Sequence, residues 1–247
     1  MLSLIDPVTL LLASLIIFTG ALTQSLIGFG LAVVATPLLY IVDPELVPVP
    51  VIVMGFSIAL LTLIRERGHL EFNGLQYALL GRLPGGLIGA TLLLLAPQPI
   101  MGLTIALIVA VAVFLSLRKY SIKINRLSLF IAGVFSGIFG TVAAIGGPPM
   151  ALLLAGKDAS QFRAALSAFF IFSSLIALII LGCFGLLTLK HLWLSLLLLP
   201  AVFIGFLVAG RLVGRVDKEK TRSLTLALCT LSALLLTIKS TLALING

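Results

Sequence analysis

About seven or more apolar runs, each of the roughly 17–25 residues a helix needs to cross a hydrocarbon core, follow one another along the chain with only short polar breaks between them. Of the 247 residues, 61% are hydrophobic and 10% charged, a balance that only a lipid solvent tolerates. The expectation is an all-α polytopic membrane protein with no soluble domain. The charge-rich stretches from Arg118 to Arg126 and from Arg211 to Arg222 read as loops. Met1 to Pro7 carry Asp6 and no Lys or Arg, so the opening apolar run lacks the basic start of a signal peptide and is expected to be retained.

The net charge of +8 does not point to nucleic acid, because the cations sit at helix ends rather than on a solvated face with aromatics. Cys183 and Cys229 lie in separate apolar segments without metal-ligand spacing and read as small buried hydrophobes. His69 and His191 fall near opposite membrane interfaces, and Tyr77, Tyr120 and Trp193 suit aromatic belts. There is no P-loop, metal cluster or nucleophile elbow, so neither an enzyme nor a cofactor is expected.

The chain carries an ordered internal repeat. Phe18, Gly28, Ala32 and Pro37 recur as Phe130, Gly140, Ala144 and Pro149; Phe56, Ser57, Pro84, Ile88 and Gly89 recur as Phe172, Ser173, Pro200, Ile204 and Gly205; Leu103, Thr104, Ala106 and Leu107 recur as Leu224, Thr225, Ala227 and Leu228. The halves are residues 8–118 and 127–240. Each opens with an apolar stretch, Val8 to Val42 and Leu127 to Ala155, interrupted near its middle by glycines. As a straight helix the first would be about 50 Å long, well beyond a core of about 30 Å.

Charge chooses between a single crossing and a hairpin. With hairpins followed by three crossings, Arg65, Arg67, Arg118, Lys119, Lys123, Arg126, Lys157, Arg163, Arg211, Arg215, Lys218, Lys220 and Arg222 share one face, opposite Lys190 and Lys239. Single crossings split the cations almost evenly. The positive-inside bias therefore favours two inverted repeats, each a broken or re-entrant helical hairpin followed by three transmembrane helices, with both termini outside. Such repeats commonly build secondary transporters whose site lies near the midplane.

Polar side chains and bare backbone coincide at the interruptions. The first holds Gln24, Ser25, Gly28 and Gly30; the second holds Ser136, Gly137, Gly140, Thr141, Gly146 and Gly147, ahead of Pro148 and Pro149. Amides freed by a helix break must find partners within a membrane, and a bound anion is one such partner. Close helix packing is the other reading of the same glycines. Arg82, between Gly81 and Pro84, has the apolar Leu198 as its counterpart. It either borders an anion pathway or snorkels to the headgroups. Asp6, Asp43, Glu45, Glu66, Glu71, Asp158, Asp217 and Glu219 all fall at expected ends or loops, which disfavours cation transport.

At Gly20, Gly28-Phe29-Gly30 and Pro37, and again at Ser136-Gly137, Gly140-Thr141 and Gly146-Gly147-Pro148-Pro149, the chain resembles the sulfite exporter TauE/SafE family of bacterial and archaeal membrane transporters. The resemblance covers essentially the whole chain. It implies a multi-pass protein of the bacterial inner membrane moving a small sulfur-containing anion, sulfite export being the namesake activity. Uptake of an organosulfonate or short carboxylate, or a non-transporting membrane subunit, are the alternatives. The expected partners are a small anion and the lipid bilayer, and a homo-oligomer is compatible with both.

Overall fold

A computed structural model describes residues 5–70, 74–117, 124–212 and 218–246. These hold α1 (Pro7–Ile27), α2 (Leu31–Val42), α3 (Val49–Glu66), α4 (Leu75–Leu95), α5 (Gln98–Leu117), α6 (Arg126–Ala143), α7 (Gly147–Leu154), α8 (Ala159–Cys183), α9 (Leu189–Leu212) and α10 (Lys218–Asn246). Eight of the described helices are long and apolar enough to cross a membrane. The exceptions are α2, with 12 residues, and α7, with 8. Glu71, Arg118, Lys119, Tyr120, Lys123, Arg215 and Asp217, and the side chains of Lys218, Glu219, Lys220 and Arg222, lie outside the described residues.

Both opening stretches are broken, and in each half a long helix, a break and a short helix precede three long helices. Asp6 caps α1 by accepting from the Val8 and Thr9 amides at 3.1 and 3.2 Å, with Pro7 beginning the helix where no N–H is needed. Asn125 and Ser128 form a capping box that starts α6. The breaks fall later than the middle. Gly20, Gly133, Gly137 and Gly140 stay helical, while α1 ends at Gly28 and α6 at Ala144, both in the left-handed region at φ 105° and 58°. Gly30 and Gly146 then precede α2 and α7.

These caps correct the repeat register. Gly28 stands with Ala144 and Gly30 with Gly146, whereas the residue matches align Gly28 with Gly140. The two registers differ by four residues, about one helical turn, so the apolar and small residues fall on the same face in either.

Helix packing explains the glycines that do not break. α4 and α6 run parallel, and a Cβ on Gly81 or Gly85 would enter the α6 backbone at Phe130 or Val134. On Gly137 it would lie 2.7 Å from the Gly85 Cα. Such small-residue ridges let membrane helices approach closely where no hydrophobic force drives them together. α1 and α9 make the matching parallel pair, with Gly205 against the Phe18 carbonyl and Ala21. Exchanging α1 to α5 for α6 to α10 carries α4·α6 onto α9·α1, α3·α9 onto α8·α4 and α2·α10 onto α7·α5, and returns α3·α8 and α5·α10 to themselves.

The bundle has two distinct ends. At one, Glu45 pairs with Lys190, the Tyr40 hydroxyl donates to the Gln98 carbonyl at 2.8 Å, and Lys239 donates to the Ile41 carbonyl at 2.7 Å. At the other lie the α1 terminus, Arg65, Arg67, Lys157 and Arg163. Asp43 and Lys157 are thus at opposite ends. Leu11 and Leu15 on α1, and Leu196 and Leu207 on α9, are among many large apolar side chains left exposed, as suits a surface bathed in lipid. Cys229 is buried as expected, but Cys183, at the last position of α8, is exposed.

Candidate functional site

The two breaks come together. Thr36 of α2 donates to the Ala143 carbonyl of α6 at 2.7 Å, satisfying an acceptor that the end of α6 leaves without a helical partner. Between the hairpins lies a cavity of about 40 Å³ bordered by Gln24, Phe29, Gly30, Ala32 and Val33 from the first, and Gly140, Ala144, Ile145, Gly146 and Gly147 from the second. Val51, Ile52 and Gly55 of α3, Arg82 of α4, and Phe170, Ser173 and Ser174 of α8 complete the wall. Since a water needs about 10–15 Å³ by the same kind of measure, the space suits a solute of a few heavy atoms.

Arg82 is 2% exposed and borders this cavity, so it does not snorkel. Its guanidinium donates to the main-chain carbonyls of Ser136 and, at 3.3 Å, of Ser173. Helical carbonyls are ordinarily engaged within their own helix, so these bonds anchor the fork without neutralising its charge. Two of its five donors are engaged in this way. Among the described residues, no carboxylate borders the cavity.

Gln24, Gly30, Arg82, Gly140, Gly146 and Gly147 all border the cavity. Gln24 braces the first break, its Oε1 accepting from the Leu31 amide at 3.2 Å. Ser136 braces the second, its Oγ donating to the Gly146 carbonyl at 2.7 Å. Gly140 leaves room for Arg82, because a Cβ there would overlap the guanidinium. Ser25 lies away from the cavity, where its hydroxyl and carbonyl accept from Arg65 at 3.0 and 2.8 Å. Gly28 is a turn residue against Phe162 and Arg163, and Gly137 is a packing residue. Thr141 is fully buried, its hydroxyl unpartnered beside Gly86.

Helix starts contribute unequally. The first amides of a helix lack internal acceptors and carry about half a positive charge. At α2 the cap Gly30 and the first-turn residues Ala32 and Val33 border the cavity. At α7, Pro148 and Pro149 follow Gly147 and have no N–H, leaving Gly147 to donate in that turn.

Three charged residues form a group that sequence reasoning missed. Glu66, 7% exposed at the end of α3, accepts from the Arg163 Nε and Nη2 at 2.9 Å and from the Arg65 Nε at 3.3 Å. Its position at a helix end reads as solvated, and only the approach of α8 buries it. Ser173 was the better signalled omission, since Phe172-Ser173 repeats Phe56-Ser57.

A buried guanidinium, the start of α2 and, among the described residues, no acid make the cavity fit for a small anion. Among the described residues there is no cluster of His, Cys, Asp or Glu that could hold a metal. No curated protein and no solved structure matches the chain. The model of the family described as Sulfite exporter TauE/SafE matches residues 12–236. The chain, an all-helical protein with membrane-crossing helices throughout, belongs to that family of membrane anion transporters.

Proposed function

We propose that the chain is a secondary transporter that exports sulfite by alternating access, with the cavity at the two breaks as its binding site. The observation that carries this is the convergence of Arg82 and the start of α2 on one small space that no carboxylate borders among the described residues. The size of that space favours a few-atom oxyanion over an organosulfonate with its carbon chain. Gln24, Gly30, Arg82, Gly140, Gly146 and Gly147 border the anion; Ser136 and Gly137 shape the second hairpin, and Ser25, Gly28 and Thr141 support the site from outside it.

The halves, about residues 8–118 and 127–240, act as inverted repeats. Support comes from the exchange of helix pairs between halves, and from α1 running toward the Arg65 end while α6 runs away from it. Cytoplasmic placement of that end in a bacterial inner membrane, with both termini outside, is supported by Arg65, Arg67, Arg126, Lys157, Arg163 and Arg211 gathering there. Rocking of one repeat against the other would then expose the cavity to each side in turn.

Proteoliposomes containing the purified protein should pass radiolabelled sulfite faster than empty ones, and Arg82→Ala should slow that flux. Equal flux with and without protein for sulfite and for every other small anion tried would overturn the transport reading.

A further inference from the structure

Below the cavity, toward the Arg65 end, lies a second space of about 440 Å³ lined by Ile27, Phe29, Ser116, Pro148, Lys157 and Phe162 among others. Of the residues bordering the central cavity, Phe29 alone, among the described residues, also borders this groove. Its ring packs edge-on against Phe162 with centroids 6.4 Å apart. Its Cβ side faces Gly147, where an added Cβ would approach to 3.3 Å. Phe29 therefore borders both spaces, and a smaller cavity of about 20 Å³ beside them is lined by Phe29 with Gly30 and Val33 of the first and Ile27 and Ser116 of the second.

The backbone on either side of Phe29 is unusual. Gly28 and Gly30 both have positive φ, at 105° and 126°. Glycine crosses between such regions at little cost, whereas other residues do not. The ring is thus carried on two adjacent soft positions and held by contacts from α8 and α7. Behind it, Arg163 packs against Gly28 and is tied to Glu66, which ties the gate to the ends of α3 and α8.

We infer that Phe29 is the gate between the anion site and a Lys157-lined vestibule, and that the route of the solute to this end of the membrane opens by swinging Phe29 on Gly28 and Gly30 away from Phe162. The vestibule supplies a cation and apolar walls, so an anion leaving Arg82 meets Lys157 next. This rests on the transport reading for its purpose, while the closure itself is a property that can be measured without flux.

The test uses the full chain in proteoliposomes with Cys183→Ala and Cys229→Ala, and Ser174→Cys as a reporter in the cavity wall. A membrane-impermeant methanethiosulfonate is applied from the side on which Lys157→Cys labels. Phe29→Ala should label Ser174→Cys about tenfold faster from that side, as expected when a closed population is released, with no change from the opposite side. If Phe29→Ala does not fold, Phe29→Val is measured with the same expectation. Equal rates with and without the Phe29 ring, or acceleration from both sides together, would overturn the gate. Absent sulfite flux in the unsubstituted chain alongside the one-sided acceleration would overturn the transport reading and leave the gate standing.

Discussion

The guanidinium of Arg82 on α4 occupies the space that a side chain at Gly140 on α6 would fill. The cation and the glycine are therefore one device: the small residue admits the charge to the cavity wall, and the Ser136 and Ser173 carbonyls hold it there. Gly140→Ala should displace the fork while preserving its charge. Sulfite flux should fall nearly as far as in Arg82→Ala, and a flux equal to that of the parent would show that the position of the fork does not matter.

Hydrogen bonds to charged groups contribute about 1.5–3 kcal/mol each. Arg82→Ala should accordingly weaken anion binding about ten- to hundredfold. Arg82→Lys keeps the charge but loses the planar fork, so an intermediate affinity, measured by competition against labelled sulfite, is expected.

Gly137 lies in the same helix as Gly140 but serves another purpose. Its added Cβ would sit 2.7 Å from the Gly85 Cα, against backbone that cannot rotate aside. Gly137→Ala should lower the unfolding free energy by about 1–3 kcal/mol, the usual cost of overpacking. Thermal unfolding in detergent checks this, and a variant as stable as the parent would remove Gly137 from the packing ridge.

The contrast between those two glycines marks how far the sequence could be read. The broken stretches and the run of crossings followed from hydropathy and helix length, whereas the cost of charge in lipid singled out Arg82 without choosing between the pathway and the headgroups. Whether a particular glycine breaks, packs or admits a ligand depends on the neighbouring helix, which a single chain's pattern does not contain. Gly20 and Gly30 illustrate this, one helical against Leu31 and the other a cap at φ 126°. The caps and the residue matches around Gly28 differ by one turn, and a shift of four residues returns nearly to the same face. Ser25 looked like an anion ligand from its place beside Gln24, yet adjacent residues on a helix point about 100° apart, and it faces Arg65 instead.

Glu66 joins α3 to α8 through Arg163, and removing one member of a buried ion pair leaves the other charge without compensation. Glu66→Gln should destabilise the protein by up to about 3 kcal/mol. The double variant Glu66→Leu, Arg163→Met should be more stable than either single change. Additive losses in that double-mutant cycle would show that the two side chains are not coupled.

Inverted halves require Asp43 and Lys157 to label from opposite sides of the membrane when each is replaced by cysteine. The separation of the Glu45–Lys190 end from the Arg65 end in the bundle supports that outcome.

A ligand that binds only the folded protein raises its apparent stability with concentration, so the most direct measurement is thermal unfolding of the purified chain across a sulfite titration, beside Arg82→Ala. The unfolding temperature of the parent should climb with sulfite, while Arg82→Ala should need about ten- to hundredfold more sulfite for the same rise. An unchanged parent, or an equal climb in both proteins, would contradict a sulfite site built around Arg82.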